Sequence, residues 1–177
     1  MSKNWHPATQ LVHGGTLRSP YGETSEAIFL TQGFVYESSE AAEARFKGET
    51  DGYIYARYGS PTNDMFERRM CLLEGAEDAR AMASGMAAVA AAVLCQVQAG
   101  DHIVAARALF GSCRYVVETL APRYGVECTL VDGRDLKNWE AAIRPNTKVM
   151  FLESPTNPTL EVVDIAGVAR LADQVGA

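Results

Sequence analysis

The tripeptide Ser84-Gly85-Met86 has the composition of a turn that binds an anion. It precedes an Ala-rich segment that is predicted to be a helix. Because the first amides of a helix lack partners and the helix dipole favours negative charge there, a phosphate is the expected ligand. Gly85 lets a ligand approach the backbone closely. The alternative is an ordinary strand-to-helix turn, since the chain has no Walker A loop and no G-x-G-x-x-G fingerprint.

Tyr55 and Arg57 place a phenol and a guanidinium two residues apart. In an extended segment such residues point the same way, so the pair would suit an oxyanion clamp. Taken alone, the local sequence favours the simpler interpretation, a solvated Arg57 packed against a surface Tyr55.

The segment Phe110-Gly111-Ser112-Cys113 follows a predicted buried strand. The carboxyl ends of parallel strands are where α/β proteins bind ligands, and Phe110 could stack there on a planar cofactor. The alternative is a core Phe110 before a helix cap at Ser112. No histidine is placed to activate Cys113, so a cysteine nucleophile is not favoured.

A second polar segment, Glu153-Ser154-Pro155-Thr156-Asn157-Pro158, follows another predicted buried strand. Its two prolines restrict the loop and hold Glu153 and Asn157 at the strand's carboxyl end, where they are candidates for ligand contacts. The alternative is a tight turn with Asn before Pro.

Hydrophobic period and capping signals predict the elements that must position these residues. Residues 1–60 form an extended arm with one short helix, Ser39–Phe46, capped by Ser38 or Ser39. The predicted helices of the remainder cover residues 61–74, 86–98, 112–121, 136–143 and 164–174, and the predicted strands cover residues 79–83, 102–106, 127–131 and 148–152.

The helix over residues 61–74 has the clearest signals, with Ser60 as its cap, Gly75 at its end, and Phe66, Met70 and Leu73 on one apolar face. The strands at 102–106 and 148–152 are apolar without alternation, which is typical of strands covered on both faces. The chain is therefore predicted to be an α/β protein with a mostly parallel sheet and helices on both sides.

Composition excludes several functional classes. The chain has 177 residues, 47% of them hydrophobic, which is enough for a core. Its four widely spaced cysteines predict neither a disulfide framework nor a zinc site. A net charge of −6 without Lys/Arg runs argues against binding to nucleic acid or to anionic membranes. No signal peptide or membrane span is recognisable, so we expect a cytoplasmic protein.

The order of the motifs is more specific than any one of them. Tyr-x-Arg, Ser-Gly-Met, aromatic-Gly and Glu-Ser-Pro-x-Asn-Pro resemble, in this order, the amino-terminal half of the Cys/Met metabolism pyridoxal-phosphate (PLP) enzymes. The segment Thr9-Gln10-Leu11-Val12-His13-Gly14-Gly15 shares the resemblance, which covers nearly the whole chain. It implies the PLP-transferase fold type I, as in aspartate aminotransferase. Residues 1–60 would be an arm packed on a neighbouring subunit, and 61–177 the first part of the large PLP-binding domain.

The resemblance implies a role for each phosphate-binding candidate. The amides of Gly85 and Met86 would bind the cofactor phosphate, with Ser84 beside them. Tyr55 and Arg57 would reach across a dimer to the same phosphate in the neighbouring subunit.

For the cofactor ring, the resemblance implies that Phe110 stacks on it, although many members have Tyr there. Asn157 would hydrogen-bond the ring hydroxyl. Glu153 matches a family position, but the resemblance gives it no chemical role.

The segment Phe-Gly-Ser-Cys resembles the O-succinylhomoserine sulfhydrylases more than the methionine γ-lyases, which tend to have Cys where Ser112 stands. This implies a homodimeric or homotetrameric enzyme of methionine biosynthesis that makes homocysteine from O-succinylhomoserine and sulfide. Cystathionine γ-synthase and methionine γ-lyase stay open within the family. A non-catalytic α/β module that binds a phosphate ligand, such as a nucleotide or a sugar phosphate, stays open outside it.

The family's Schiff-base lysine and the Asp that pairs with the pyridinium nitrogen lie downstream, in members more than twice this length. We therefore expect this chain to be a truncated, amino-terminal portion that is inactive alone; a remnant that only pairs with full-length subunits is a further alternative. None of the chain's lysines matches the Schiff-base motif: Lys3, Lys47, Lys137 and Lys148.

Overall fold

The computed structural model describes residues 4–177, which form two compact units. The first unit ends at Ala81 and the second comprises Met82–Ala177. The predicted division at residue 60, between an arm and a domain, stays a prediction.

The first unit contains three helices, each with a capped start. They are α1 (Pro7–His13), α2 (Ser39–Phe46) and α3 (Pro61–Glu74). Ser38 Oγ accepts the Ala41 amide at 3.1 Å, and Ser60 Oγ accepts the Asn63 amide at 3.3 Å. Two helices thus have their predicted bounds, whereas α1 was not predicted, because a seven-residue helix is too short to show a period.

Helix α3 buries a different residue from the one its period predicts. Phe66 is 53% exposed, whereas its neighbour Met65 is 3% exposed. Met70 and Leu73 are half-buried. Arg69 also reaches back from α3, where its Nε donates to the Gly14 carbonyl at 3.0 Å and its Nη2 pairs with Glu26. The arm is therefore attached to α3 by polar contacts rather than by Phe66.

The second unit alternates helices and strands. Its elements are α4 (Gly85–Leu94), β1 (His102–Ala106), α5 (Gly111–Tyr115), β2 (Glu127–Val131), α6 (Leu136–Ala142), β3 (Thr147–Phe151) and α7 (Ile165–Val175).

The three strands form a parallel sheet in the order β2-β1-β3. Every residue of the central strand β1 is buried, as its unbroken apolar run predicts. The register between β1 and β3 contains a bulge, because His102 pairs with Thr147 but Ile103 pairs with Val149. Trp139 of α6 is fully buried beside the sheet and donates its indole N–H to the Gly133 carbonyl at 3.1 Å.

Three predicted elements differ from the structure by more than one residue. Residues 79–83 form no strand, since no described strand lies beside them to complete a ladder. Helix α4 ends at Leu94 rather than near residue 98. Helix α5 does not stop before Pro122 but continues as a π-helical turn, Val116–Leu120, and a 3-10 turn, Ala121–Tyr124, in which the proline occupies an early position that needs no N–H.

Within residues 4–177, no helix is both long enough and apolar enough to cross a bilayer.

Candidate functional site

The start of α4 presents two free backbone amides. Ser84 is the cap of this helix, and its Oγ accepts the Ala87 amide at 3.2 Å. Its carbonyl accepts the Ala88 amide at 3.0 Å. The amides of Gly85 and Met86 come before these bonds, and neither has an acceptor among the described residues. The Ser-Gly-Met segment is therefore the start of a helix without a preceding strand among the described residues, and the binding of a phosphate by its two amides stays a prediction.

This helix start is open, and its own helix carries no opposing charge. A Cβ built on Gly85 meets no heavy atom within 4 Å, and Ser84 and Gly85 are exposed. Helix α4 contains no charged side chain, so no carboxylate in its first turn would repel an anion. The helix dipole and the two amides both favour a phosphate there.

An apolar groove of about 440 Å³ adjoins the helix start. Met86 and Ala90 of α4 line one side of it, and Gly111, Ser112 and Tyr115 of α5 line the other. The groove brings the Ser-Gly-Met turn beside the segment that begins with Phe110, although the two are separated along the chain.

Phe110 precedes α5 and is held by a carboxylate from a distant segment. Its backbone N–H donates to both carboxylate oxygens of Glu153, at 2.9 and 3.0 Å. Its side chain is 46% exposed, which excludes the core position considered above. Ser112 lies inside the first turn of α5 and is not its cap.

The same carboxylate also faces Cys113. Burial raises the pKa of the Cys113 thiol, and the nearby Glu153 carboxylate raises that pKa further. A thiol held in this way is a poor nucleophile, in agreement with the sequence analysis.

Asn157 projects from a braced loop. Inside the loop, Thr156 is buried and its Oγ1 accepts the Glu161 amide at 2.9 Å. Ser154 Oγ accepts the Val163 amide at 3.1 Å. Asn157 is exposed, and its side-chain amide has no hydrogen-bond partner in the described part of the chain. The loop therefore presents a free amide in the segment that follows β3.

Tyr55 and Arg57 lie together in the first unit, but in a turn rather than in the predicted extended segment. The Tyr58 amide donates to the Tyr55 carbonyl at 2.9 Å and closes this turn. The Arg57 guanidinium lies 4.9 Å from the Tyr55 ring centroid and 5.3 Å from that of Tyr58. The exposed Arg57 is thus held by two phenol rings, while its N–H groups have no acceptor among the described residues.

Two charged residues outside the sequence motifs follow strands β1 and β2. Arg107 follows β1 and Asp132 follows β2, at the same edge of the sheet as Glu153. Asp132 accepts from Arg134 Nε at 2.9 Å and Nη2 at 2.6 Å, and this ion pair lowers the pKa of Asp132 to about 2. Both residues could have been identified from the sequence, because each directly follows a predicted strand.

No group of three or more metal-ligating side chains is assembled within residues 4–177. The four cysteines are all free thiols. The candidate site thus consists of free amides, an exposed aromatic ring and polar side chains, which suits an organic anion with a planar ring.

Comparison with known proteins finds relatives of nearly the whole chain. The family described as Cys/Met metabolism PLP-dependent enzyme matches residues 8–177. An O-succinylhomoserine sulfhydrylase of Mycobacterium tuberculosis is 51% identical over 170 residues, 96% of this chain and 42% of that protein. An L-methionine gamma-lyase of Porphyromonas gingivalis is 44% identical over 166 residues, 93% of this chain and 41% of that protein. The chain thus spans less than half the length of these curated relatives.

Solved structures show the same fold. A Campylobacter jejuni protein described as an O-acetylhomoserine (thiol)-lyase, which contains N'-pyridoxyl-lysine-5'-monophosphate, superimposes with a TM-score of 0.92 at 28% identity, over 97% of this chain and 42% of that one. The metB protein of Corynebacterium glutamicum superimposes with a TM-score of 0.89 at 33% identity, over 98% of this chain and 44% of that one. The predicted fold class is therefore confirmed.

Proposed function

Because the chain belongs to the family of Cys/Met metabolism PLP-dependent enzymes, we propose that it is the amino-terminal portion of an O-succinylhomoserine sulfhydrylase. This enzyme would replace the succinate on Cγ of the substrate by sulfide and release homocysteine. The observation that carries the proposal is the 51% identity to the Mycobacterium tuberculosis sulfhydrylase over 96% of this chain.

The described residues fit the phosphate of PLP. The free amides of Gly85 and Met86 and the dipole of α4 would bind it, and the absence of charged side chains on α4 leaves that attraction unopposed. Arg57 of a neighbouring subunit would add a charge-assisted hydrogen bond, with Tyr55 holding its guanidinium.

The remaining candidate residues would contact the ring of PLP. Phe110 would stack on one face of it, since its side chain is half exposed at the carboxyl edge of the sheet. Asn157 would donate to the ring hydroxyl from its free amide. Bound PLP would supply the electron sink that makes the substrate Cα proton acidic. A phenylalanine cannot move a proton, so Phe110 would only orient the ring.

Methionine γ-lyase is the second candidate, because the Porphyromonas gingivalis lyase is 44% identical over 93% of this chain. A product assay on the complete protein separates the candidates. With O-succinylhomoserine and sulfide we expect homocysteine. Cystathionine as the main product with cysteine as donor would indicate cystathionine γ-synthase, and methanethiol released from methionine would indicate the lyase. Either of these as the dominant activity would contradict the proposal.

We also propose that the 177-residue chain does not form the Schiff base with PLP by itself. The test incubates this polypeptide with PLP, reduces it with borohydride and locates any pyridoxyl-lysine by mass spectrometry. We expect no stoichiometric adduct at Lys47, Lys137 or Lys148. A single, fully labelled lysine would overturn this part of the proposal.

A further inference from the structure

We propose that Glu153 is a positioning residue of the PLP site: it fixes the start of α5, and with it Phe110, relative to the loop that carries Asn157. The inference rests on the proposed function and adds to it a role for a residue that had none.

The cap residue of α5 is held by a distant side chain. Phe110 is in the cap position, but its side chain has no atom that can accept a hydrogen bond. Glu153, 43 residues away, instead accepts the backbone N–H of Phe110 itself, and its two oxygens lie 2.9 and 3.0 Å from the Phe110 nitrogen. The negative carboxylate also stands at the positive end of the helix, where the dipole stabilises it.

The carboxylate lies beside the first turn of α5. Both of its oxygens accept from the Phe110 amide, and it contributes to the raised pKa of the buried Cys113 thiol, three residues further along. The bond from Phe110 to both oxygens holds the start of the helix at a fixed distance from the segment that follows β3.

The ring of Phe110 depends on this attachment. Because the side chain is 46% exposed, core packing does not hold it, and its direction follows from the backbone that Glu153 fixes. On the other side, the loop after Glu153 is braced by Ser154 and Thr156. One carboxylate therefore connects the aromatic ring expected to stack on PLP with the loop expected to contact the ring hydroxyl.

The first test uses the complete, PLP-bound protein with the variants Glu153→Ala and Glu153→Gln. Glutamine keeps one carbonyl oxygen that can accept the Phe110 N–H, whereas alanine keeps none. We expect Glu153→Ala to change the circular dichroism of the bound PLP and to lower kcat about tenfold with a smaller change in KM, as loss of a hydrogen bond to a charged group predicts. Glu153→Gln should restore most of the dichroism.

The matched control is Glu118→Gln, which removes an exposed carboxylate that pairs with Arg114 on the same helical run. We expect it to leave both the dichroism and kcat unchanged. If Glu153→Ala releases the Phe110 amide but leaves the dichroism of bound PLP as in the parent, the positioning role is wrong.

A second readout needs no cofactor. In the isotope-labelled chain, the Phe110 amide proton should move upfield in Glu153→Ala and less so in Glu153→Gln, because it loses its carboxylate acceptor. An unchanged Phe110 amide would overturn the inference even if PLP binds. If instead the amide moves but the parent protein does not bind PLP, the proposed function fails while the contact between Glu153 and Phe110 stands.

Discussion

The imidazole Nδ1 of His102 lies 2.9 Å from Oγ1 of Thr147, so a buried side-chain hydrogen bond connects the central strand β1 to β3. The other ring nitrogen lies 2.8 Å from Thr129 Oγ1 on β2. One histidine thus contacts all three described strands of the sheet through polar atoms. Burial lowers the pKa of His102, and the nearby Arg144 cation lowers it further, against a smaller opposing effect of Glu127.

The lowered pKa of His102 predicts how the free energy of unfolding changes with pH. Since the pKa of His102 is lower in the folded state than the unfolded value of about 6.5, the unfolded chain binds the proton more tightly. The contribution of His102 to the free energy of unfolding is present above about pH 6.5 and is lost as the pH falls toward the folded pKa. We expect His102→Asn to reduce the difference in stability between pH 7.5 and pH 5.5.

Urea unfolding followed by the fluorescence of Trp139 measures this effect. The chain has two tryptophans, so a Trp5→Phe background makes the signal specific to the second unit. The control is His6→Asn, which changes an exposed histidine of the first unit. A pH difference that survives in His102→Asn at its full size would show that other groups cause it.

The open helix start predicts the effect of charge at Gly85. An aspartate there has space and is favoured in the first turn of a helix, so Gly85→Asp should not weaken folding. Its carboxylate would repel the cofactor phosphate, and we expect PLP affinity to fall at least about tenfold, which is about 1.4 kcal/mol. Gly85→Ala adds bulk without charge and serves as the control. Equal PLP affinity in Gly85→Asp and the parent would place the phosphate elsewhere.

Removing the side chain of Arg57 is expected to weaken the retention of PLP by the complete protein. Arg57→Ala removes a charge-assisted hydrogen bond to phosphate worth roughly 1.5–3 kcal/mol. The control is Arg45→Ala, because Arg45 also lies over a tyrosine ring, 5.4 Å from the centroid of Tyr36, and is not expected at the site. Dialysis followed by absorbance of the retained PLP measures the effect. Unchanged retention would remove Arg57 from the site.

Sharing of the site across a dimer can be tested by combining two variants. If Arg57 serves the neighbouring subunit and Gly85 serves its own, a mixed dimer of Arg57→Ala and Gly85→Asp subunits contains one intact site and one doubly impaired site. We expect about half of the parental PLP binding in the mixed dimer and little in either homodimer. A mixed dimer no better than its parents would contradict the shared site.

Replacing Gly167 by alanine is expected to lower the free energy of unfolding, although alanine is normally favoured over glycine within a helix. A Cβ there would lie 2.4 Å from Asp164 Oδ2 and 2.6 Å from Leu136 Cδ1. Asp164 is the cap of α7 and accepts the Gly167 amide at 2.9 Å, so Gly167→Ala displaces the cap. We expect a net loss of about 1–3 kcal/mol, because overpacking and displacement of the cap outweigh the gain of about 1 kcal/mol in helix propensity. Gly111→Ala, at an open helix start, is the control and should lose nothing measurable by urea unfolding.

Local signals in the sequence were sufficient for much of the fold. The bounds of α2 and α3 follow from Ser38, Ser60 and Gly75, whose side chains or backbone act within a few residues. Strands β1 and β2 also have their predicted bounds, and the apolar run of β1 is typical of a buried parallel strand.

Predictions failed where the outcome depends on contacts distant in sequence. A strand at residues 79–83 needs a neighbouring strand, and the buried face of α3 depends on what packs against Phe66 and Met65. In the candidate site, Phe110 and Glu153 could each be selected as candidates from the sequence around them. Their hydrogen bond could not, because it joins residues 43 positions apart.

The bulge between β1 and β3 has a consequence for any chain shortened at Lys148. Thr147 and Val149 are two residues apart, yet their pairing with His102 and Ile103 puts them on opposite faces of the sheet. Deleting Lys148 would remove the residue that has no partner on β1 and make Thr147 and Val149 neighbours, which alternate between the two faces as His102 and Ile103 do. The strand would then pair without an irregularity, with the hydroxyl still beside the imidazole and every later side chain on the face it occupies now.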